Sequence, residues 1–149
     1  MSNYLYPLLF VLMLVQCNDL DPKPRQAPFE KTFTLVKGSE ITLTDEDTKE
    51  ELKVKLEQVY DSRCPTGTMC FTMGNATVIL SASNEQEQVK DINLCIGACH
   101  PEPVRSKHTI PLQVGTRKYT ITLNDVIPYP KAENNDTAKT VEMTVTRSF

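Results

Sequence analysis

A chain of 149 residues with a formal net charge of −3 has the usual length of one domain behind a short leader. It lacks the basic excess with which proteins neutralise phosphates, so we expect no nucleic-acid partner. Only two histidines are present, and either could activate a cysteine nucleophile only if a cysteine beside it were free.

The N-terminal residues have the features of a lipoprotein signal peptide. The apolar run from Leu8 to Val15 is too short to cross a hydrocarbon core of about 30 Å as a finished helix, but it suits the central region of a signal peptide. Residues 14–17, LVQC, resemble a lipobox, in which the cysteine receives a diacylglyceryl group and becomes the new N-terminus. We predict a signal peptide at 1–16 and a lipid anchor on Cys17 that holds the protein on the periplasmic or surface face of an outer membrane. An ordinary leader that ends at a cysteine by chance is the alternative.

A proline-rich acidic segment follows the lipobox. Pro22, Pro24 and Pro28 disfavour both helix and interior strand, so residues 17–28 are predicted to be the lipidated cysteine and a flexible tether. Asp19 and Asp21 resemble the short acidic signals that some bacteria use to export lipoproteins to the cell surface. A solvated linker, which needs polar residues in any case, is the simpler interpretation.

Beyond the tether, hydrophobic residues recur with a period of two, which is typical of half-buried strands. The alternating sets are Phe33 and Leu35; Ile41 and Leu43; Leu52, Val54 and Leu56; Val78, Leu80 and Ala82; Leu94 and Ile96; Tyr119, Ile121 and Leu123; and Val141, Met143 and Val145. Turn residues separate them at 37–38, 65–67, 74–75, 115 and 134–136. The pattern predicts a single domain at 29–149, an all-β, antiparallel sandwich of about seven or eight strands.

Two segments could instead begin with a helical turn. Residues 45–57 are rich in Glu and Lys and follow Thr44, a residue that can cap a helix. Residues 83–88 are the second such segment. Because Leu52, Val54 and Leu56 are spaced two apart, we expect strands to prevail.

The cysteines predict disulfides. If Cys17 carries lipid, four remain: Cys64, Cys70, Cys95 and Cys99. An even number of cysteines in an exported domain indicates two bridges, and four cysteines can be paired in three ways. We favour the local pairs, the first cysteine with the second and the third with the fourth. Four residues of strand would span about 13 Å, more than the roughly 4.4–6.8 Å between bridged Cα atoms, so the last bridge requires a turn before Cys99. A cross pairing between the two segments would need no such turn and stays open.

The most distinctive stretch is VYDSRCPTGTMCFTMGNATVIL, at Val59 to Leu80. It resembles a family of small uncharacterised lipoproteins and exported proteins of bacteria with an outer membrane. The shared features are a DSRCP box at 61–65, a second cysteine at Cys70, a Gly-Asn-Ala turn at 74–76 and the hydrophobic strand after it. The later piece ITLNDVIPYP, at 121–130, also fits this family.

The resemblance implies an immunoglobulin-like β-sandwich, and it implies no particular activity, since a fold does not fix a function. The family usually has Trp and then Ala where this chain has Thr72 and Met73. A contact made through that Trp would therefore be absent from this chain.

The DSRCP box can also be interpreted from its residues alone. Asp61 can accept backbone N–H bonds within its own turn, and Arg63 can pair with a carboxylate or with carbonyl groups. A disulfide within so short a loop would contribute about 2 kcal/mol. One interpretation is a stapled corner between two strands. The other is a rigid recognition loop, with Asp61, Arg63, Pro65 and Met69 as its contact residues.

The sequence offers little for catalysis. It contains no GxSxG, phosphate-binding glycine loop or dinucleotide fingerprint, so we expect neither an enzyme nor a cofactor. The alternative is a zinc-binding protein or enzyme that uses Cys95, Cys99 and His100, although their spacing is unlike the usual ligand pairs. The acidic cluster at 45–47 is better interpreted as a solvated turn than as a calcium loop.

The preferred hypothesis is a noncatalytic, membrane-anchored module of the cell envelope that acts in binding or structure, with an envelope protein as its candidate partner. An alternative of a different class is an exported protease inhibitor. It would present the rigid loop at 64–70, or the loop at 128–136, to a protease cleft.

Overall fold

The computed structural model of the protein describes residues 25–101, 103–133 and 137–148. These residues form nine β-strands and no helix. The strands are β1 (Gln26–Pro28), β2 (Thr32–Val36), β3 (Glu40–Thr44), β4 (Glu51–Asp61), β5 (Asn75–Ser83), β6 (Gln88–Gly97), β7 (His108–Val114), β8 (Arg117–Ile127) and β9 (Thr140–Ser148). The predicted signal peptide, Cys17, most of the tether and the turn at 134–136 lie outside the described residues.

The strands form two sheets that pack face to face. One sheet has five strands in the order β1-β3-β4-β5-β6, and the other has four in the order β2-β9-β8-β7. Every neighbouring pair is antiparallel except β1 and β3, which run parallel. The chain crosses between the sheets at 29–31, 37–39 and 98–107. The predicted all-β sandwich is confirmed, with nine strands instead of seven or eight.

The core lies between the sheets and follows the two-residue period. On β4, Leu52, Val54 and Leu56 are fully buried, while Lys53 and Lys55 between them face solvent. Burial of each such leucine contributes about 1.5–3 kcal/mol. Facing them from the second sheet are the buried side chains of Leu35, Tyr119, Ile121, Leu123, Val141, Met143 and Val145.

The structure corrects the predicted end of the tether. Residues 26–28 form β1 instead of a flexible linker, and their register aligns Gln26 with Thr42 and Pro28 with Thr44. The N–H of Thr42 also donates to the carbonyl of Arg25 at 2.9 Å. Pro28 is tolerated because β1 is an edge strand, in which one side of the backbone needs no ladder partner.

β7 is absent from the strands that the alternation singles out. Pro111 occupies its centre and interrupts the strand signal. The strand forms nevertheless, because it lies at the edge of the four-stranded sheet, where a missing N–H donor removes no ladder bond. Leu112 and Val114 are buried in the core as in the other strands.

The two segments for which a helical turn was the alternative form turns that lead into strands. The Oδ1 of Asp45 accepts hydrogen bonds from the N–H groups of Asp47 and Thr48, at 2.9 and 2.7 Å. In the same way, the side chain of Asn84 accepts bonds from the N–H groups of Gln86 and Glu87, both at 2.9 Å. Within the described part of the chain, no helix is long and apolar enough to cross a bilayer.

Candidate functional site

Three loops meet at one end of the sandwich, which we call the loop end. They are residues 62–74 after β4, residues 98–107 after β6 and residues 128–139 after β8. The N–H of Thr66 donates to the carbonyl of Pro130 at 3.0 Å, and the N–H of Ala98 donates to the carbonyl of Gly74 at 2.9 Å. These backbone bonds tie the first loop to both of the others, so the loop end is one connected surface.

Both disulfides lie at the loop end. Cys64 and Cys70 are joined across the first loop with a Cα–Cα distance of 5.8 Å, and Cys95 and Cys99 are joined with a distance of 6.1 Å. These are the local pairs that the sequence favoured. The turn that the second bridge requires is made at Gly97, whose φ is +91°, a conformation that glycine adopts without strain.

Gly74 is needed where the first loop returns to β5. Its φ is +64°, and a Cβ added there would lie 1.9 Å from the carbonyl oxygen of Ser62 and 2.7 Å from the carbonyl carbon. Since both neighbours are backbone atoms, a side chain could not be accommodated without moving the loop. The close approach explains why a Gly-Asn-Ala turn follows the DSRCP box at this spacing.

Arg63 and Asp61 form a buried ion pair beneath the first loop. The guanidinium is bidentate, with Nε donating to Oδ1 and Nη2 donating to Oδ2, both at 2.8 Å. The N–H of Arg63 donates to the same carboxylate at 3.3 Å. Only 6% of the Arg63 side chain and 3% of the Asp61 side chain are exposed. Such bidentate, charge-assisted bonds fix the geometry of both groups.

The same guanidinium reaches the second sheet. Nη2 of Arg63 donates to the carbonyl of Val126 on β8, Nη1 lies 3.6 Å from Oδ1 of Asp125, and the guanidinium carbon lies 4.4 Å from the ring centroid of Tyr129. Lys139 approaches from the third loop, with Nζ 3.1 Å from Oδ2 of Asp61. Arg63 therefore holds the two sheets together at the loop end.

Opposing effects act on the ionisation of Asp61. Burial raises its pKa, but the hydrogen bonds and charges of Arg63 and Lys139 outweigh burial and hold the pKa of this carboxyl below its ordinary value. For Arg63, burial lowers the pKa and the pairing with Asp61 more than offsets it, so the pKa is raised. Both groups are charged at neutral pH.

The tip of the first loop exposes three large apolar side chains, Met69, Phe71 and Met73, which we call the crest. Met69 and Phe71 are fully exposed, and Met73 is 65% exposed. The stretch from Cys64 to Met73 contains no charged residue. Large apolar side chains that protrude from a rigid loop commonly mark a contact surface.

A shallow groove of about 390 Å³ lies beside the crest, between the ends of β6 and β8. Its lining includes Met73, Ile96, Val104, Lys107 and Tyr129. The crest and this groove place apolar side chains next to one another at the loop end, and Arg105, Lys107 and the half-exposed Asp125 also line the groove.

The structure gives the predicted contact residues different roles. Asp61 and Arg63 are buried and engaged with each other, so they support the loop and cannot themselves meet a partner. Pro65 is half-buried and Met69 is fully exposed. Sequence reasoning missed Phe71 and Met73, although the charge-free run around Cys70 could have indicated them. Cys17 lies outside the described residues.

The disulfides also bear on the zinc alternative. Cys95 and Cys99 are bonded to each other, and a disulfide supplies no thiolate ligand. The second histidine, His108, accepts a hydrogen bond at Nδ1 from the N–H of Cys95 at 3.0 Å. Among residues 25–101, 103–133 and 137–148, no group of three or more His, Cys, Asp or Glu side chains could hold a metal ion.

Comparisons with known proteins found no matching family model, no matching curated protein and no matching solved structure.

Proposed function

We propose that the protein is a noncatalytic, membrane-anchored module of the cell envelope that acts in binding or structure, and that the loop end is its contact surface. The observation that carries this proposal is the crest, whose side chains are exposed while the base of the same loop is fixed by a buried ion pair and a disulfide.

The crest has the energetic character of a contact site. Removing a large apolar side chain from water is worth about 1.5–3 kcal/mol, so Met69 and Phe71 could together contribute several kcal/mol to binding. A flexible loop would lose part of this binding free energy, because it would have to give up conformational entropy when it binds. A loop already fixed by Arg63 and by the Cys64–Cys70 bridge has little freedom left to lose.

The envelope location rests on the disulfides, the lipobox and the family resemblance. Disulfides persist in oxidising compartments and are rare in the cytosol, and the two bridges fit an exported domain. The lipobox at Cys17 and the DSRCP box support an anchored lipoprotein. The intact mass of the protein from its native membrane tests this, because a diacylated or triacylated Cys17 without alkylatable thiols is expected. An unlipidated chain with reactive thiols would contradict it.

The contact surface is tested by a double variant, Met69→Ser with Phe71→Ser, in the intact lipoprotein. We expect crosslinking in native envelopes to lose the contacts made by the first loop, while the fold stays intact because both side chains are exposed. Val36→Ser is the control for an exposed apolar side chain that lies outside the three loops, since Val36 is 46% exposed and ends β2 opposite Thr140. Unchanged contacts in the double variant would contradict the proposal.

A protease inhibitor is the second candidate, and one observation favours it. Met69 is fully exposed and directly precedes Cys70, whose disulfide closes the loop, as a rigid substrate-like loop would require. A panel of serine, cysteine and metalloproteases tests this at micromolar protein. Inhibition that disappears in Met69→Ser is expected for an inhibitor, and no inhibition by the native protein would eliminate this candidate.

A further inference from the structure

We infer that the loop end rests on the surface of the lipid bilayer, with Met69 and Phe71 inserted among the headgroups and the first acyl carbons. This inference rests on the proposed anchoring through Cys17 and names what the contact surface touches. It would make the crest a second membrane contact beside the lipid anchor, whose two or three acyl chains already hold the protein on the membrane, so the crest would set the orientation of the domain.

The shape and composition of the crest suit a fluid interface. The fully exposed Met69 and Phe71 project from the loop into solvent, and no charge interrupts residues 64–73. Interfacial segments bury their apolar side chains about 5–10 Å deep. Tyr60 and Tyr129 are exposed at the same end, and tyrosine is enriched at the headgroup level of membranes.

The direction of the first strand brings the N-terminal segment in from the loop end. β1 runs parallel to β3, and β3 is antiparallel to β4, whose last residue, Asp61, leads into the first loop. The chain before Gln26 therefore approaches from the side on which the crest lies. An anchor on Cys17 would pull that side of the domain toward the membrane.

The length of the tether limits how far the loop end can stand from the lipid. From Cys17 to Gln26 the chain takes nine Cα–Cα steps, which reach at most about 30–32 Å when fully extended. Gln26 is paired with Thr42 on β3, and Thr42 is paired with Lys53 on β4, so the three residues lie at the same height along the strands. From Lys53 to Asp61, β4 rises roughly 27 Å. If the loop end faces the bilayer, a fully extended tether therefore reaches only about 3–5 Å beyond the level of Asp61, and the crest, which lies beyond Asp61, is brought to the lipid.

Charge also orients the domain. At the end of the sandwich opposite the crest, the loops at 29–31, 45–50 and 84–87 contain seven acidic residues and two lysines. The loops at 62–74, 98–107 and 128–139 contain five basic and three acidic residues, and Asp61 and Asp125, which pair with Arg63, bring this end close to neutral. An anionic lipid surface repels the acidic end and meets little net charge at the loop end, which favours the pose with the crest toward the membrane.

The absence of tryptophan from the chain allows a direct test. Phe71→Trp places a single tryptophan, the crest tryptophan, on the first loop, and Glu46→Trp places one, the control tryptophan, on an exposed turn at the opposite end. Each full-length variant is purified as the lipoprotein, checked by intact mass for acylation of Cys17, and reconstituted into vesicles of phosphatidylethanolamine and phosphatidylglycerol. Quenching by lipids brominated on the acyl chain is compared with quenching by aqueous acrylamide.

We expect brominated lipid to quench the crest tryptophan and not the control tryptophan, and acrylamide to quench the crest tryptophan several-fold less than the control. High salt should leave most of the lipid quenching in place, because the inserted residues carry no charge and salt screens only the repulsion of the acidic end. Equal exposure of both tryptophans to acrylamide would overturn the inference. So would a shielded crest tryptophan that brominated lipid does not quench, which would indicate a protein partner or a second copy. If Cys17 is acylated in either case, the proposed anchoring survives and only the lipid contact fails.

Discussion

Replacing Arg63 by alanine should destabilise the domain far more than removal of an ordinary surface charge. The substitution leaves the carboxylate of Asp61, only 3% exposed, with Lys139 as its remaining ionic partner. It also removes the hydrogen bond to the carbonyl of Val126. Breaking a buried ion pair by deleting one partner costs about 3–5 kcal/mol. Because the pair lies near the end of the sandwich, where water can enter, we expect the lower end of that range, about 3 kcal/mol.

Urea unfolding followed by circular dichroism measures this change, and thermal unfolding should show a fall in Tm of roughly 10 °C. Lys55→Ala is the matched control. Lys55 pairs with Glu57 at 3.0 Å, but their side chains are 41% and 38% exposed. Such surface pairs contribute little to stability because solvent screens them, so the control should be nearly neutral.

A double variant measures the interaction between Asp61 and Arg63 separately from the effect of removing either side chain alone. Asp61→Ala with Arg63→Ala removes both charges, so no uncompensated carboxylate remains, and the loss should be smaller than the sum of the two single losses. If Arg63→Ala costs no more than Lys55→Ala, the buried pair does not hold the sheets together at the loop end, and the structural role assigned to Arg63 is wrong.

Three further predictions concern the same end of the molecule. Because the pKa of Asp61 is held below its ordinary value, its ionised form stabilises the fold above about pH 4, and this stability is lost as pH falls through the lowered pKa. Asp61→Asn should therefore flatten the fall in the urea midpoint between about pH 4 and pH 2. An unchanged slope would contradict the stabilising role of the Asp61 carboxylate. Replacing Cys64 and Cys70 together by serine should lower the free energy of unfolding by about 2 kcal/mol, because the loop is freed in the unfolded chain. The core strands should stay protected in hydrogen exchange. Loss of that protection would show that the bridge supports more than its loop. Gly74→Ala should lower the free energy of unfolding by at least about 2 kcal/mol more than Gly38→Ala does. Both glycines have positive φ, but of the two only Gly74 has backbone atoms where the new Cβ would lie. Equal losses of stability would refute the clash at Gly74.

The sequence by itself determined the class of fold. The two-residue spacing of apolar residues on β4, β8 and β9 can be buried on one side only as strands, and the structure has strands at each place. The same period identified Leu52, Val54 and Leu56 as core. Sequence also favoured the local disulfide pairs, because short separations and a glycine before Cys99 allow the necessary turn.

The two edge strands that contain proline, β1 and β7, were harder to foresee than the edge strands β2 and β6. Prolines mark β1 and β7 as non-strand by local propensity, since proline lacks the N–H that a ladder uses. Only the sheet order shows that both strands lie at edges, where one side of the backbone has no neighbour. Edge position is a property of the whole topology, and no local pattern encodes it.

The roles within the DSRCP loop were decided by the tertiary structure alone. In the sequence, Arg63 and Met69 are equally plausible contact residues, and by composition the charged one would be expected outside. The structure shows the opposite: Arg63 is buried and Met69 is exposed. Asp61, Asp125 and Val126 supply partners for the buried guanidinium, while the loop turns Met69 away from the core. Whether a charge can be buried depends on partners from β8, some sixty residues away, and only the packing of the two sheets brings them together.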